Sequence, residues 1–243
     1  MCGAAVLGNT RLAVIDTSDA GHQPMHDPQT GNWITYNGET YNFKQLRNEL
    51  ESERQAWRSS SDTEVVLRAY GEWGVDAFRR LRGMFAIALW DERKRELVLA
   101  RDPLGIKPLY YYRTNERFVF ASEVRALLAS ELVPRKLSSD GVDSYLACGS
   151  VEAPLTIVEG VRQLLPGHYL RVCVDGAGQV GVTIGEFGVS NCKTRELGVS
   201  RSRRRRLRDC DPSWRNRSGC TWSATFRWVC FCRVDSIRAR WSR

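Results

Sequence analysis

Branched apolar residues occur in short alternating or continuous runs along much of the chain, and such runs predict β-strands. Two runs, at 4–7 and 11–15, stand near the start and are separated by Gly8 and Asn9. The segment WITYNGETYN at 33–42 predicts a strand that leads into a turn. Further strands are predicted at 84–91, 96–102, 108–113, 118–123 and 168–175.

Helical spacing of apolar residues predicts elements between these runs. Phe43, Leu46 and Leu50 predict an amphipathic helix. A second helix is predicted with Asp62 as its N-cap, and others within 120–130 and 138–149. Because strands and helices each come in runs, we predict an α+β protein whose antiparallel sheets are covered by helices, rather than alternating βαβ units.

The periodic pattern ends near residue 178. Arg, Trp, Cys and Ser dominate the remainder without a sustained period of 2 or 3.6. We therefore divide the chain into a folded body at 1–178 and a tail at 179–243. The tail is interpreted as disordered or as the product of a shifted reading frame, since its Trp and Cys content is unusual for a disordered segment.

Charge follows the same division. Residues 1–190 carry 21 basic and 24 acidic side chains, whereas residues 191–243 carry 15 and 4. The net charge of +8 therefore arises in the tail. Nucleic-acid binding, for which the Arg run at 203–206 is the candidate, would depend on the tail alone.

Composition excludes other classes of function. The sequence contains neither an apolar run of about 18 residues nor a secretory leader, so we expect a cytoplasmic protein. Five of the eight cysteines lie in the tail, where no histidine occurs. No zinc or other metal site is expected.

Seven motifs occur in one order over residues 5–175, and together they resemble one family. They are GHQPM, YNGETYN, SSSDTEVVLRAYGEWG, LRGMFAIALWD, ARDPLGIKPLYYY, FASEVRALL and LPGHYLRV. The body resembles the N-terminal class II glutamine amidotransferase domain of glutamine-hydrolysing asparagine synthetase. This resemblance implies an N-terminal-nucleophile hydrolase fold, in which two stacked antiparallel sheets have helices outside. Here we expect the fold to be incomplete at its N-terminus.

The resemblance also implies a set of site residues. Cys2 would be the nucleophile, with its own α-amino group as the base once Met1 is removed. The Asn37 side chain and the Gly38 N–H would stabilise the oxyanion. Glu39 and Asp62 would bind the α-amino group of glutamine, since a carboxylate pairs with an ammonium.

The spacing of Cys2 departs from the family. Members carry a strand, a helix and an R-H-R-G-P-D segment between the nucleophile and the strand that matches VLGNTRLAVID. Here Cys2 stands only four residues before Val6. Cys2 is therefore either a nucleophile that enters the site from a new direction or a chance resemblance, and we expect this chain to be inactive.

Several candidate residues have structural interpretations as well. Asn37–Gly38 is also a common turn signal, and Asp62 could simply cap a helix. Arg101, Asp102, Gly105 and Lys107 could form a catalytic cluster, but a tight structural turn, with Arg101 and Asp102 paired, is the stronger interpretation.

The expected function is hydrolysis of glutamine to glutamate and ammonia, for amide transfer to aspartate. The chain lacks an SGGxDS-type loop, so ATP and magnesium would belong to a partner synthetase domain, and no cofactor is expected here. A homo-oligomer is possible. The alternatives are a non-catalytic glutamine-binding or interaction module and a nucleic-acid binder that uses the basic tail.

Overall fold

A computed structural model describes residues 5–10, 15–50, 56–176 and 178–188, together with the backbone of 230–233. Its strands are β1 Met25–His26, β2 Trp33–Thr40, β3 Gly83–Asp91, β4 Glu96–Arg101, β5 Tyr110–Arg113, β6 Arg117–Ala121, β7 Val161–Gln163, β8 His168–Val174, β9 Val180–Glu186 and β10 Cys230–Arg233. Its α-helices are α1 Phe43–Leu50, α2 Asp62–Trp73, α3 Ala77–Arg80, α4 Val124–Ala129 and α5 Ser139–Cys148.

The strands form two sheets in which every pairing is antiparallel. One sheet has six strands in the order β1-β2-β3-β4-β8-β9, and the other has four in the order β10-β6-β5-β7. Tight hairpins join the strands that are both consecutive in sequence and adjacent in a sheet. The β3–β4 hairpin turns through charged residues and ends at Arg95, which adopts a φ of 55°.

Side-chain alternation along each strand separates the layers. On β2, the Tyr36 hydroxyl bonds to Asp62 of α2, whereas the Asn37 amide bonds to Ser122 at the end of β6. The six-stranded sheet is therefore covered by α2 on one face and by the four-stranded sheet on the other. A second apolar cluster, with Val119 and Leu127 among its members, joins the outer face of the four-stranded sheet to α4. These layers confirm the predicted α+β class with two stacked antiparallel sheets.

The start of α2 differs from the expectation. Ser61, not Asp62, is the N-cap, and its side chain accepts a hydrogen bond from the Thr63 N–H at 3.2 Å. Asp62 is the first residue of the helix, and its side chain is only 4% exposed. Because the serine already satisfies the helix terminus, the Asp62 carboxylate is free to bond to another element.

Order extends past the boundary expected at residue 178. Strand β9 pairs with β8 along its whole length, from Val180 to Glu186. Strand β10, from the predicted tail, pairs with β6 through four residue pairs. The rest of the tail, at 189–229 and 234–243, lies outside the described residues, as do the side chains of 230–233.

The first predicted strands are only partly described. Residues 1–4 and 11–14 lie outside the described part of the chain, and 5–10 contain isolated bridge positions rather than a strand. Ala5 and Leu7 nevertheless pack against the main core. Within the described ranges, no helix has both the length and the apolar character that crossing a lipid bilayer requires.

Candidate active site

Three of the predicted site residues are consecutive on β2. Asn37 is 7% exposed, whereas Gly38 and Glu39 are half-buried. Register pairs them with Ala86, Phe85 and Met84 of β3. The Asn-Gly pair therefore lies within a paired strand, and the interpretation of it as a hairpin turn is wrong.

Strand register sets the direction of the Gly38 N–H. Its partner Phe85 donates its N–H to the Asp102 carboxylate at 3.3 Å, and the Phe85 carbonyl accepts the Asp102 N–H at 2.8 Å. Both Phe85 groups therefore point away from β2, and the pair Gly38–Phe85 is a non-hydrogen-bonded pair of the ladder. The Gly38 N–H consequently faces the other edge of β2, beyond the last residue that β1 pairs.

Side chains bind the two neighbouring N–H groups at that edge. The Tyr36 N–H donates to Gln23 Oε1 at 2.7 Å, and the Thr40 N–H donates to Asp62 Oδ2 at 2.9 Å. None of the described side chains accepts a hydrogen bond from the Gly38 N–H, which lies between them. This arrangement leaves one backbone donor for a ligand at the edge of the strand.

Asp62 is fixed against the end of β2. Its Oδ2 accepts hydrogen bonds from the Tyr36 hydroxyl at 3.0 Å and from the Thr40 N–H at 2.9 Å. Burial raises the pKa of the Asp62 carboxyl above its usual value, while these two donors act in the opposite direction. The carboxylate is therefore held at the end of β2 by Tyr36 and Thr40.

The Asn37 side chain lies on the opposite face of β2. Its Nδ2 donates to Ser122 Oγ at 3.5 Å, the outer limit of a hydrogen bond. A side-chain amide carries two N–H donors, so one remains for a ligand. Ser122 follows β6, and the contact places Asn37 where the two sheets meet.

Four of the five predicted residues are thus connected through β2. Three of them belong to the strand, and Asp62 is linked to it by hydrogen bonds. Cys2 lies outside the described residues. Sequence reasoning missed Tyr36, Thr40 and Gln23, whose side chains or backbone hold this edge. The available signal for Tyr36 was its place directly before the Asn-Gly pair.

Asp16 and Glu64 support the serine loop that precedes α2. Asp16 Oδ2 accepts from the Ser60 N–H at 2.9 Å, and Glu64 Oε2 accepts from the Ser59 N–H at 2.7 Å. Hydrogen bonds, of which that from the Ser18 side chain is the largest cause, lower the pKa of Asp16 to about 2. These anchors fix the entry into α2 and hence the position of Asp62.

The second candidate cluster is structural. The Arg101 guanidinium donates to the carbonyls of Gly105, Lys107 and Leu164 at 2.7–2.8 Å. Asp102 instead accepts backbone N–H groups of the same turn, and Gly105 adopts a φ of +66°. The turn interpretation is confirmed, although Arg101 and Asp102 bond to backbone groups rather than directly to each other.

Comparison with known proteins identifies the family. The glutamine amidotransferase domain family matches residues 1–180. Asparagine synthetase [glutamine-hydrolyzing] 3 of Bacillus subtilis is 38% identical over 174 residues, which are 70% of this chain and 28% of that protein. Amidase chry2 of Gibberella zeae is 38% identical over 164 residues, 68% of this chain and 24% of that protein.

Solved structures also align with the chain. Glutamine phosphoribosylpyrophosphate amidotransferase from B. subtilis, complexed with ADP and GMP, has a TM-score of 0.47 at 20% identity and covers 71% of this chain and 33% of that chain. The chain spans about a quarter of the length of the two relatives named above. On the extent of the family match, this chain belongs to the glutamine amidotransferase domain family.

Proposed function

We propose that this domain binds L-glutamine and is the glutaminase part of an asparagine synthetase, which transfers the released ammonia to aspartate. The observation that supports this most directly is the edge of β2. There no described side chain bonds to the Gly38 N–H, and the Asp62 carboxylate is fixed at the Thr40 N–H, two residues further along the same edge. An amide oxygen that becomes negative in the reaction needs the first group, and an ammonium needs the second.

The proposed chemistry is thiol attack on the glutamine side-chain amide. The neutral Cys2 α-amino group takes the thiol proton, the thiolate bonds to the carbonyl carbon, and the carbonyl electron pair moves to oxygen, which the Asn37 amide and the Gly38 N–H stabilise. Collapse breaks the C–N bond, and ammonia leaves after its nitrogen takes that proton back from the α-ammonium group. Water then hydrolyses the thioester, which releases glutamate and the free Cys2 thiol. We assign ATP and magnesium to a partner synthetase domain, since amide hydrolysis requires neither.

Glutamine affinity tests the binding site. Replacing Asp62 by asparagine is expected to raise the Kd for glutamine about 10- to 100-fold, because a charge-assisted hydrogen bond to the ammonium is lost. Isothermal titration calorimetry on the purified chain measures this change. Asp91→Asn is the matched control, since Asp91 is also 4% exposed and bonded to a tyrosine hydroxyl, but lies at the end of β3. Equal weakening by both variants would contradict the assignment.

Turnover tests the nucleophile separately. We propose that this chain hydrolyses glutamine slowly or not at all, because Cys2 is only four residues from Val6, where family members have an intervening strand and helix. Glutamate release from glutamine should therefore stay close to the background rate. Cys2→Ala and Cys148→Ala, the latter an exposed free thiol, are assayed in parallel. Robust release that only Cys2→Ala abolishes would overturn the expectation of inactivity.

The same pair of measurements separates the alternative function. A non-catalytic glutamine-binding module would bind glutamine through Gly38 and Asp62 and release no glutamate. Absence of binding by the unaltered chain would refute both the glutaminase and the binding module.

A further inference from the structure

Tyr36 makes a buried connection between β2 and α2 that the proposed chemistry does not use. Its side chain is 4% exposed. The hydroxyl lies 3.0 Å from Asp62 Oδ2 and 2.9 Å from Thr40 Oγ1. Burial raises the pKa of Tyr36 well above its usual value, so the hydroxyl stays protonated and donates a hydrogen bond to the carboxylate.

Two donors from one strand therefore define where Asp62 points. The Tyr36 hydroxyl and the Thr40 N–H both bind Oδ2, so rotation of the carboxylate would break both bonds. Oδ1 has a weak contact with the side chain of Ser61, at 3.5 Å, and backbone N–H groups at the start of α2 also stabilise the carboxylate. The carboxylate is thus held between β2 and the first turn of α2.

Gln23 stiffens the same connection. Its Oε1 accepts the Tyr36 N–H at 2.7 Å, and its Nε2 donates to Thr63 Oγ1 of α2 at 3.1 Å. Gln23 is itself 4% exposed. Backbone and side chain of Tyr36 are therefore both fixed relative to the start of α2, which makes Tyr36 a rigid support rather than a mobile one.

We propose that Tyr36 is a positioning residue for glutamine recognition, which holds the Asp62 carboxylate oriented toward the α-ammonium group. This inference rests on the proposed function, because it takes Asp62 as the partner of that ammonium. It adds a residue that makes no contact with the substrate and acts only through Asp62.

The electrostatic surroundings give this role a pH signature. On β2, Glu39 lies near Tyr36, and the elements around the start of α2 bring Asp16, Glu64 and Arg47 to the serine loop. Burial raises the pKa of Asp62, and the Tyr36 hydroxyl lowers it. Removing the hydroxyl should raise this pKa further, so the carboxylate is protonated, and the ammonium loses its partner, at a higher pH.

Glutamine affinity is therefore measured against pH for the full chain, Tyr36→Phe and Tyr70→Phe. Tyr70 is the matched control. It lies on α2, the helix that also carries Asp62, and its buried hydroxyl donates to the Asp91 carboxylate at 3.1 Å. We expect Tyr36→Phe to weaken binding most at low pH, by up to about tenfold, which is the limit for a one-unit rise in the pKa of Asp62. The difference should shrink progressively as the pH is raised and Asp62 ionises in both the unaltered chain and the variant. Tyr70→Phe should match the unaltered chain throughout.

Weakening by the same factor at every pH, or none at any pH, would overturn the inference while leaving the proposed function intact. No binding by the unaltered chain would overturn both. Carbon NMR titration of the Asp62 carboxyl gives a readout without glutamine: its pKa should rise in Tyr36→Phe and stay constant in Tyr70→Phe. A constant pKa in both variants would also overturn the inference.

Discussion

Replacing Gly38 by alanine is expected to abolish measurable glutamine binding and to lower the free energy of unfolding by about 3 kcal/mol. An added Cβ would lie 2.1 Å from the Met84 carbonyl oxygen and 2.7 Å from the Phe85 Cα. Both atoms belong to the backbone of β3, so no side-chain rotation can relieve the clash. The two strands would have to separate beside Gly38, and this would displace the Gly38 N–H at the opposite edge of β2.

This loss arises from close approach rather than from an unusual dihedral angle. Gly83, the neighbouring glycine of β3, shows the same crowding from the other side, since its Cβ would lie 2.0 Å from the Glu39 carbonyl oxygen. The β2–β3 contact therefore requires glycine on both strands. Because the proposed glutamine site includes this part of β2, loss of stability and loss of binding should occur together.

Chemical denaturation and calorimetry measure the two effects. Gly176→Ala is the control, because a Cβ there meets no atom within 4 Å, and both stability and Kd should be nearly unchanged. If Gly38→Ala bound glutamine like the unaltered chain, the Gly38 N–H could not be the oxyanion donor at the position described.

The second large effect is expected when Arg101 is replaced by methionine. The free energy of unfolding should fall by about 3–5 kcal/mol. The side chain is 5% exposed and donates to the three carbonyls of Gly105, Lys107 and Leu164. Methionine is of similar length but has no donor, so these buried carbonyls would be left unpaired. Asp102, which is fully buried, would also lose its neighbouring positive charge.

Denaturant unfolding of Arg101→Met and Arg113→Met checks this expectation. Arg113 is an exposed arginine on β5, and its replacement should change stability by less than about 0.5 kcal/mol. Similar stabilities for the two variants would show that the turn from Asp102 to Lys107 does not depend on the guanidinium. Glutamine affinity should change little in Arg101→Met wherever the chain remains folded, since Arg101 lies outside the proposed pocket.

Runs of apolar residues predicted most of the regular elements, because β3, β4 and β6 are buried along nearly their whole length and therefore have near-continuous apolar sequences. This signal failed where pairing rather than pattern creates an element. Strand β1 has two residues and exists only because Met25 and His26 pair with β2. Strands β9 and β10 likewise depend on the edges of β8 and β6. A sequence pattern does not show which strand edges are available to pair with a further strand.

For the candidate site, the order of motifs along the chain was enough to indicate the family and to select Asn37, Gly38, Glu39 and Asp62. The sequence by itself also determined the chemical character of these groups, an amide, a backbone N–H and two carboxylates. Only the tertiary structure decided their directions. Ladder register turned the Gly38 N–H to the outer edge, and the Ser61 cap released Asp62 to bond with Tyr36, 26 residues away. Such contacts depend on how β2 and α2 pack, which local periodicity does not encode.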